Sequence, residues 1–273
     1  MIVRLDPDFP PVWRTPFSVQ FGIDRPAVVL QHVSTADERM LGALAVGVPV
    51  SGVSMIGLDA GASEQDVRRL LRELEPVLRR GPAATETVRA TVALAGEGAT
   101  LDRISATLVQ CGLEPHRADI DRSAAGTVQF RPDLAVMITH YVLDPVLRGH
   151  WLRADVPHLA ITFGDAEVHI GPMIEPGAGP CLYCLELRHA DADPAWPAIA
   201  SQLWGRVSRS ETPLVSAEVA ALAARMVLSR VRNGPAPEPV SWHLDVATGR
   251  VSTRLEAAHP ACQCTGLEGD LAG

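Results

Sequence analysis

Four of the chain's five cysteines fall into two close pairs, Cys181-Leu182-Tyr183-Cys184 and Cys262-Gln263-Cys264. Two thiol pairs far apart in sequence are the pattern of a tetrahedral four-sulfur Zn²⁺ site. Both sulfurs of a C-x-x-C turn can face one point, and a C-x-C turn can do so on a tighter bend. Such a site would tie the last segment of the chain back to its middle. Spacing alone leaves two alternatives, a pair of disulfides or buried thiols that merely lie close. The first residues, Met1 to Phe9, carry Arg4, Asp6 and Asp8 and resemble no export signal. A cytoplasmic protein is therefore expected, and a reducing cytosol favours metal over disulfide. The expected ligands of a structural zinc are Cys181, Cys184, Cys262 and Cys264.

The chain has 273 residues, of which 47% are hydrophobic and 21% charged. That is enough for a packed core in one large domain or two smaller ones. A net charge of -8 opposes nonspecific binding to nucleic acid or to an anionic membrane surface. No apolar run reaches the length of a membrane span. The chain contains no lysine. Schiff-base chemistry and the P-loop lysine are therefore absent.

Residues 1–82 read as a small winged-helix-like module. Phe17 to Ile23 alternates in polarity, Ala27 to Leu30 is a second apolar run, and Asp24-Arg25-Pro26 between them completes a hairpin. Ser34 and Asp37 mark one helix start, with Met40, Leu41 and Leu44 as its apolar stripe. Ser63 and Asp66 mark another, with Val67, Leu70, Leu71, Leu74 and Leu78 on one face. Arg68, Arg69, Arg72, Arg79 and Arg80 lie on its other face, which is either simply solvated or attractive to an acidic peptide.

Residues 83–273 alternate strands with helices, which implies an α/β fold with a Rossmann-like, mostly parallel sheet. Val88 to Ala95, Leu134 to Thr139, Pro157 to Phe163 and Glu167 to Ile174 read as buried strands. The segment from Asp191 to Pro197 reads as irregular. Pro213 to Val231 is the longest helix, and a hairpin around Thr248-Gly249 leads to the second cysteine pair. Gly96-Glu97-Gly98 follows the first strand and opens a helix, the layout that offers N–H groups to a phosphate. Leu101 occupies the third glycine position and Glu97 adds negative charge, so Gly96 and Gly98 are read as a vestigial cofactor site. Asp119 or Asp121 could meet a ribose, but neither follows a clear strand. Cys111 could be a nucleophile, though a structural thiol is the simpler reading. His140 and His158 show no companion acid or base, and His259 could replace one sulfur at the metal.

The glycine turn at Gly96, the strand ending at Thr139, Pro180-Cys181-Leu182-Tyr183-Cys184, the Ala-rich helix and the terminal pair together resemble the ubiquitin-activating-enzyme superfamily. That superfamily includes adenylyltransferases for sulfur-carrier proteins. The resemblance implies the fold, the zinc site and a homodimer. Active members use an aspartate after the central strand, an Asn-Leu-x-Arg-Gln segment and a lysine to handle Mg²⁺-ATP. Here Thr139, His140 and Tyr141 stand in the first place and the others are missing, so ATP is not an expected cofactor.

A winged-helix-like module joined to such a degenerate domain is similar to the leader-peptide-binding partners of azol(in)e peptide biosynthesis. The resemblance implies a noncatalytic scaffold that pairs a peptide strand with the hairpin and presents it to a YcaO-type cyclodehydratase. Val19 and Phe21, or Val28 and Leu30, would then contact the peptide, with Arg68, Arg69 and Arg72 beside it. A divergent adenylyltransferase acting on a small carrier protein is the alternative. Nucleic acid and membrane are not expected partners.

Overall fold

The computed structural model describes residues 2–80, 89–118 and 131–264. The chain divides into two compact units, Met1–Glu86 and Thr87–Gly273. Asp119 and Asp121 lie outside the described residues.

The first unit begins with four strands, β1 (Ile2–Leu5), β2 (Pro11–Thr15), β3 (Ser18–Phe21) and β4 (Val28–Leu30). Then come α1 (Thr35–Val46), the short β5 (Val48–Pro49), α2 (Val50–Asp59) and α3 (Glu64–Glu73). A 3-10 turn at Glu75–Val77 leads into β6 (Leu78–Arg80). The strands form two antiparallel sheets, ordered β5-β1-β6 and β2-β3-β4. Both helix starts carry full capping boxes. Ser34 Oγ accepts from Asp37 N–H at 3.1 Å, and Ser63 Oγ accepts from Asp66 N–H at 3.2 Å. Val3, Val19, Phe21, Met40, Leu44, Val67 and Leu70 meet in one core.

The helix expected to run through Leu78 stops at Glu73 instead. Pro76 cannot supply the N–H that a continuing helix needs, and it sits in the 3-10 turn. Leu78, Arg79 and Arg80 are therefore strand residues paired with β1. Arg79 bonds Asp6 and Asp8, each at 2.8 Å, and does not belong to the arginine face of α3.

The second unit starts with β7 (Thr91–Ala95), α4 (Ala99–Gln110) and β8 (Glu114–Arg117). It continues with β9 (Leu134–His140), α5 (Pro145–Arg153), β10 (His158–Phe163) and β11 (Glu167–Ile174). Three helices follow, α6 (Leu182–Ala192), α7 (Trp196–Leu203) and α8 (Pro213–Asn233), before β12 (Val240–Asp245) and β13 (Val251–Leu255). The seven strands form one sheet in the order β13-β12-β11-β10-β9-β7-β8. Strands β8, β7, β9 and β10 are parallel, and β11 to β13 extend the sheet antiparallel.

The inner parallel strands β7, β9 and β10 are mostly apolar and buried, as cover on both faces requires, whereas the edge strand β8 is polar and largely exposed. One face is covered by α4 and α8, whose Leu101, Ile104, Leu108, Val219, Ala223 and Val227 pack on Val92, Val136 and Ile161. On the other, Leu147 and Trp151 of α5 and Leu182 of α6 pack on Ala93, Ala135 and Met137. The stretch expected to be irregular near Asp191 is instead the end of α6 and the start of α7. Pro197 stands in the first turn of α7, where its missing N–H has no partner to lose.

Candidate functional site

The first cysteine pair sits at the start of α6, with Cys181 as the residue before the helix and Cys184 in its first turn. The second pair follows β13 on a loop held by several bonds. Arg188 donates to the carbonyls of Ala257 and Ala258 at 3.1 and 3.2 Å. His259 Nε2 lies 2.8 Å from Asp191 Oδ2, while its Nδ1 accepts from the Ala261 N–H at 3.1 Å. Both ring nitrogens are therefore engaged, and His259 braces the loop instead of replacing a sulfur.

The four sulfurs all lie within 4.8 Å of one another. Cys181 Sγ is 3.8 Å from Cys184 and 3.7 Å from Cys262, and Cys184 Sγ is 3.4 Å from Cys264. A disulfide would need about 2.05 Å. A tetrahedral ion with metal–sulfur bonds of about 2.3 Å spaces its ligands about 3.8 Å apart. The observed edges fit the second figure, so the cluster could hold a metal ion. Cys181 and Cys264 are pushed up, first of all by burial. Burial also pushes on Cys184, but backbone hydrogen bonds at His259 and Cys181 and the neighbouring thiols outweigh it and bring that thiol to about 7. Four thiolates this close repel one another, and a divalent cation is the group that would let all of them ionise.

The parallel strands end at a crevice of about 1100 Å³ between β7 and β9. This is the switch point, where α4 leaves to one face and α5 to the other. Gly96 is at φ +112°, and a Cβ there would meet the Ile138 carbonyl at 2.9 Å, so only glycine lets β7 pass this close to β9. Gly98 precedes α4 at φ +105°. The anion position of this helix start is already filled from within the chain. Glu211 Oε1 accepts from Thr100 N–H at 3.1 Å and from Thr100 Oγ1 at 2.6 Å.

The other Glu211 oxygen lies 3.5 Å from His140 Nε2. His140 Nδ1 accepts from the Ser208 N–H at 3.3 Å, so the neutral ring carries its proton on Nε2, toward Glu211. Burial lowers the pKa of His140, with Glu211 pulling the other way. Glu97 and Asp144 also line the crevice, and Arg206 is the one guanidinium among its described residues. A phosphoryl charge about 4 Å from Glu211 would cost about 4 kcal/mol at an effective dielectric of about 20. Glu211 was not identified from the sequence, since nothing local links it to a helix start far upstream.

In the first unit, β4 is the terminal strand of its sheet, and a groove of about 960 Å³ runs beside it. Phe17, Val29, Leu30, Asp66, Arg69 and Glu73 are among its walls. Val19 and Phe21 do not reach this groove. They are 1% and 0% exposed, on a strand paired along both edges, so β3 has no edge to give a peptide. Val28 is half-buried and Leu30 buried, but both lie on a strand whose outer edge pairs with no other strand among the described residues. Arg69 pairs with the buried Asp37 at 3.0 Å and with Glu73 at 3.3 Å, and Arg68 pairs with Glu64 at 3.1 Å. Arg72 is exposed. With Asp37, Asp66 and Glu73 beside a single Arg69, this groove does not favour an acidic peptide.

No family model matches the chain, and no curated protein does. Solved structures match its fold. A heterocyclase in complex with substrate and cofactor aligns over 97% of this chain with a TM-score of 0.72 and 16% identity. The heterocyclase TruD aligns over 97% with a TM-score of 0.65 and 18% identity. The chain spans 39% and 42% of those two proteins. E. coli MccB with MccA aligns over 97% of this chain and 100% of its own, with a TM-score of 0.69 and 13% identity. These likenesses support the fold that the cysteine and strand pattern implied. No helix among the described residues is long and apolar enough to cross a membrane.

Proposed function

We propose that this protein is a noncatalytic, zinc-stabilised scaffold that binds the leader part of a peptide and presents it to a modifying enzyme. The observation that carries the noncatalytic part is Glu211, whose carboxylate takes the Thr100 donors that a nucleotide phosphate would need. Zinc suits the donor set, four sulfurs at tetrahedral spacing. Cys181, Cys184, Cys262 and Cys264 would hold it, and its role is to fasten the C-terminal loop to α6.

Peptide binding is assigned to the winged-helix-like first unit, by strand addition to β4. The edge at Val28–Leu30 would supply main-chain hydrogen bonds, and the apolar part of the groove wall at Phe17, Val29 and Val33 would take alternate side chains. The partner suggested by the sequence resemblance is a YcaO-type cyclodehydratase, and the heterocyclase likenesses are consistent with work on peptides. Homodimerisation rests on the same resemblance, because α8 uses Val219, Ala223 and Val227 within its own unit. The direct test is binding of fluorescent peptides from short reading frames flanking the gene to the full chain, with and without Phe17→Ser. Saturable binding weakened by the substitution supports the assignment, and no binding by any flanking peptide contradicts it.

A second reading, adenylation of a small protein or peptide, is favoured by two features. The crevice at the switch point is large, and the fold matches MccB solved with ATP at a TM-score of 0.68. It requires Glu211 to leave Thr100 when nucleotide enters.

A further inference from the structure

His169 and His243 oppose one another in the register of β11 and β12, with ring centroids 4.4 Å apart. Glu167 precedes His169 by two residues, so strand alternation puts all three side chains on one face. One atom, Glu167 Oε2, lies 3.4 Å from His169 Nε2 and 3.4 Å from His243 Nδ1. The three candidate ligand atoms all lie within 4.8 Å of one another.

The surrounding bonds fix where the protons are. Ser241 Oγ donates to Glu256 Oε1 at 2.7 Å, the shorter of its two acceptor contacts. Its lone pairs then face His243 Nε2, 3.0 Å away, which must be the protonated nitrogen. On the neutral ring His243 Nδ1 is then the lone pair that faces Glu167 Oε2, 3.4 Å away. A cation between that nitrogen and the carboxylate would satisfy both at once. Hydrogen bonding of the far imidazole nitrogen to an oxygen is also the usual way a histidine ligand is oriented.

Beside the trio lies a cavity of about 490 Å³ beneath α6 and α7, whose walls include His169, His243, His189, Glu186 and Trp196. His189 Nδ1 is buried with no hydrogen-bond partner among the described residues, and its ring centroid is 6.5 Å from that of His169. Leaving such an atom unpaired costs about 1–3 kcal/mol, so the cavity is built to hold something polar.

We propose that Glu167, His169 and His243 form a second metal site, separate from the cysteines, for a divalent first-row transition ion with open positions toward the His189 cavity. Two imidazoles and one carboxylate suit such ions. With ligand bonds of about 2.1 Å, tetrahedral edges are about 3.4 Å, matching both Glu167 contacts.

The test is cobalt binding to full-length protein that has first been given a single equivalent of zinc, which the four thiolates take in preference to imidazole and carboxylate. After excess Co²⁺ and dialysis, metal analysis should give about one cobalt alongside one zinc, with visible bands lacking thiolate charge transfer. His243→Ala and Glu167→Gln should each lower cobalt at least tenfold while zinc and melting temperature hold. Glu167 is an exposed residue, so its substitution reports even if the histidine variant unfolds. Wild-type protein that retains no cobalt beyond the zinc, or a Glu167→Gln variant that retains it fully, would overturn the proposal.

Discussion

Glu211 reaches across the crevice to cap α4, accepting from Thr100 N–H at 3.1 Å and from Thr100 Oγ1 at 2.6 Å. A helix start that would attract phosphate is thereby neutralised by the chain itself. Removing that carboxylate should expose the site. Glu211→Ala is expected to lose about 1–2 kcal/mol of stability and to become measurably stabilised by millimolar phosphate or sulfate, as wild type is not. Thermal melts with and without the anions check this, and equal anion effects on both proteins would count against it.

The cysteine cluster should behave as one cross-link. Cys184→Ser or Cys264→Ser should abolish the sulfur-bound metal and cost about 2–5 kcal/mol, the range for losing a covalent cross-link. Chelation of wild type should do the same. Acid should also release the ion, since every ligand must be a thiolate to bind it. Metal analysis together with denaturant melts reads both effects.

The three arginines on α3 should separate on mutation. Arg69 pairs with Asp37, which is buried, although Arg69 itself is 39% exposed and partly screened. Arg69→Ala should cost about 1 kcal/mol of stability, whereas Arg68→Ala and Arg72→Ala should cost less than about 0.5 kcal/mol. If Arg68 proved the costly one, the placement of these side chains would be wrong.

His158 gives a pH signature. Its ring is fully buried, Nδ1 donates to the Val156 carbonyl at 2.8 Å, and Nε2 has no partner among the described residues. Burial lowers its pKa to about 4, against an ordinary 6.5. The unfolded chain binds this proton first, so stability is complete above about 6.5 and falls as pH drops toward 4. The loss is on the order of 3 kcal/mol at the acid end. Chemical denaturation from pH 7 to 4 should show the slope, and His158→Leu should flatten it.

What could be read from the sequence was local or chemically coded. Ser34 with Asp37 and Ser63 with Asp66 act within four residues, so their capping boxes were legible. The two cysteine pairs were legible because thiol spacing specifies a ligand set whatever lies between. The misses involve partners distant in sequence. Strand β6 pairs with β1, which no turn signal announces, and that pairing turned an expected helix end into a strand. Val19 and Phe21 alternate like surface strand residues, but β2 covers the edge of β3 that the hairpin alone would leave free. Pro194 and Pro197 suggested a break, yet a proline in the first turn begins α7. Glu211, His169 and His243 acquire their roles from neighbours supplied by the folded sheet and crevice, not by adjacent residues.

On the reading proposed above, the chain's own charge closes the switch-point crevice to nucleotide. Titration calorimetry of Mg²⁺-ATP into the zinc-loaded full chain tests it most directly. No binding at millimolar nucleotide is predicted for wild type. A dissociation constant in the micromolar range, with Glu211 intact, would contradict the account and favour an adenylating enzyme.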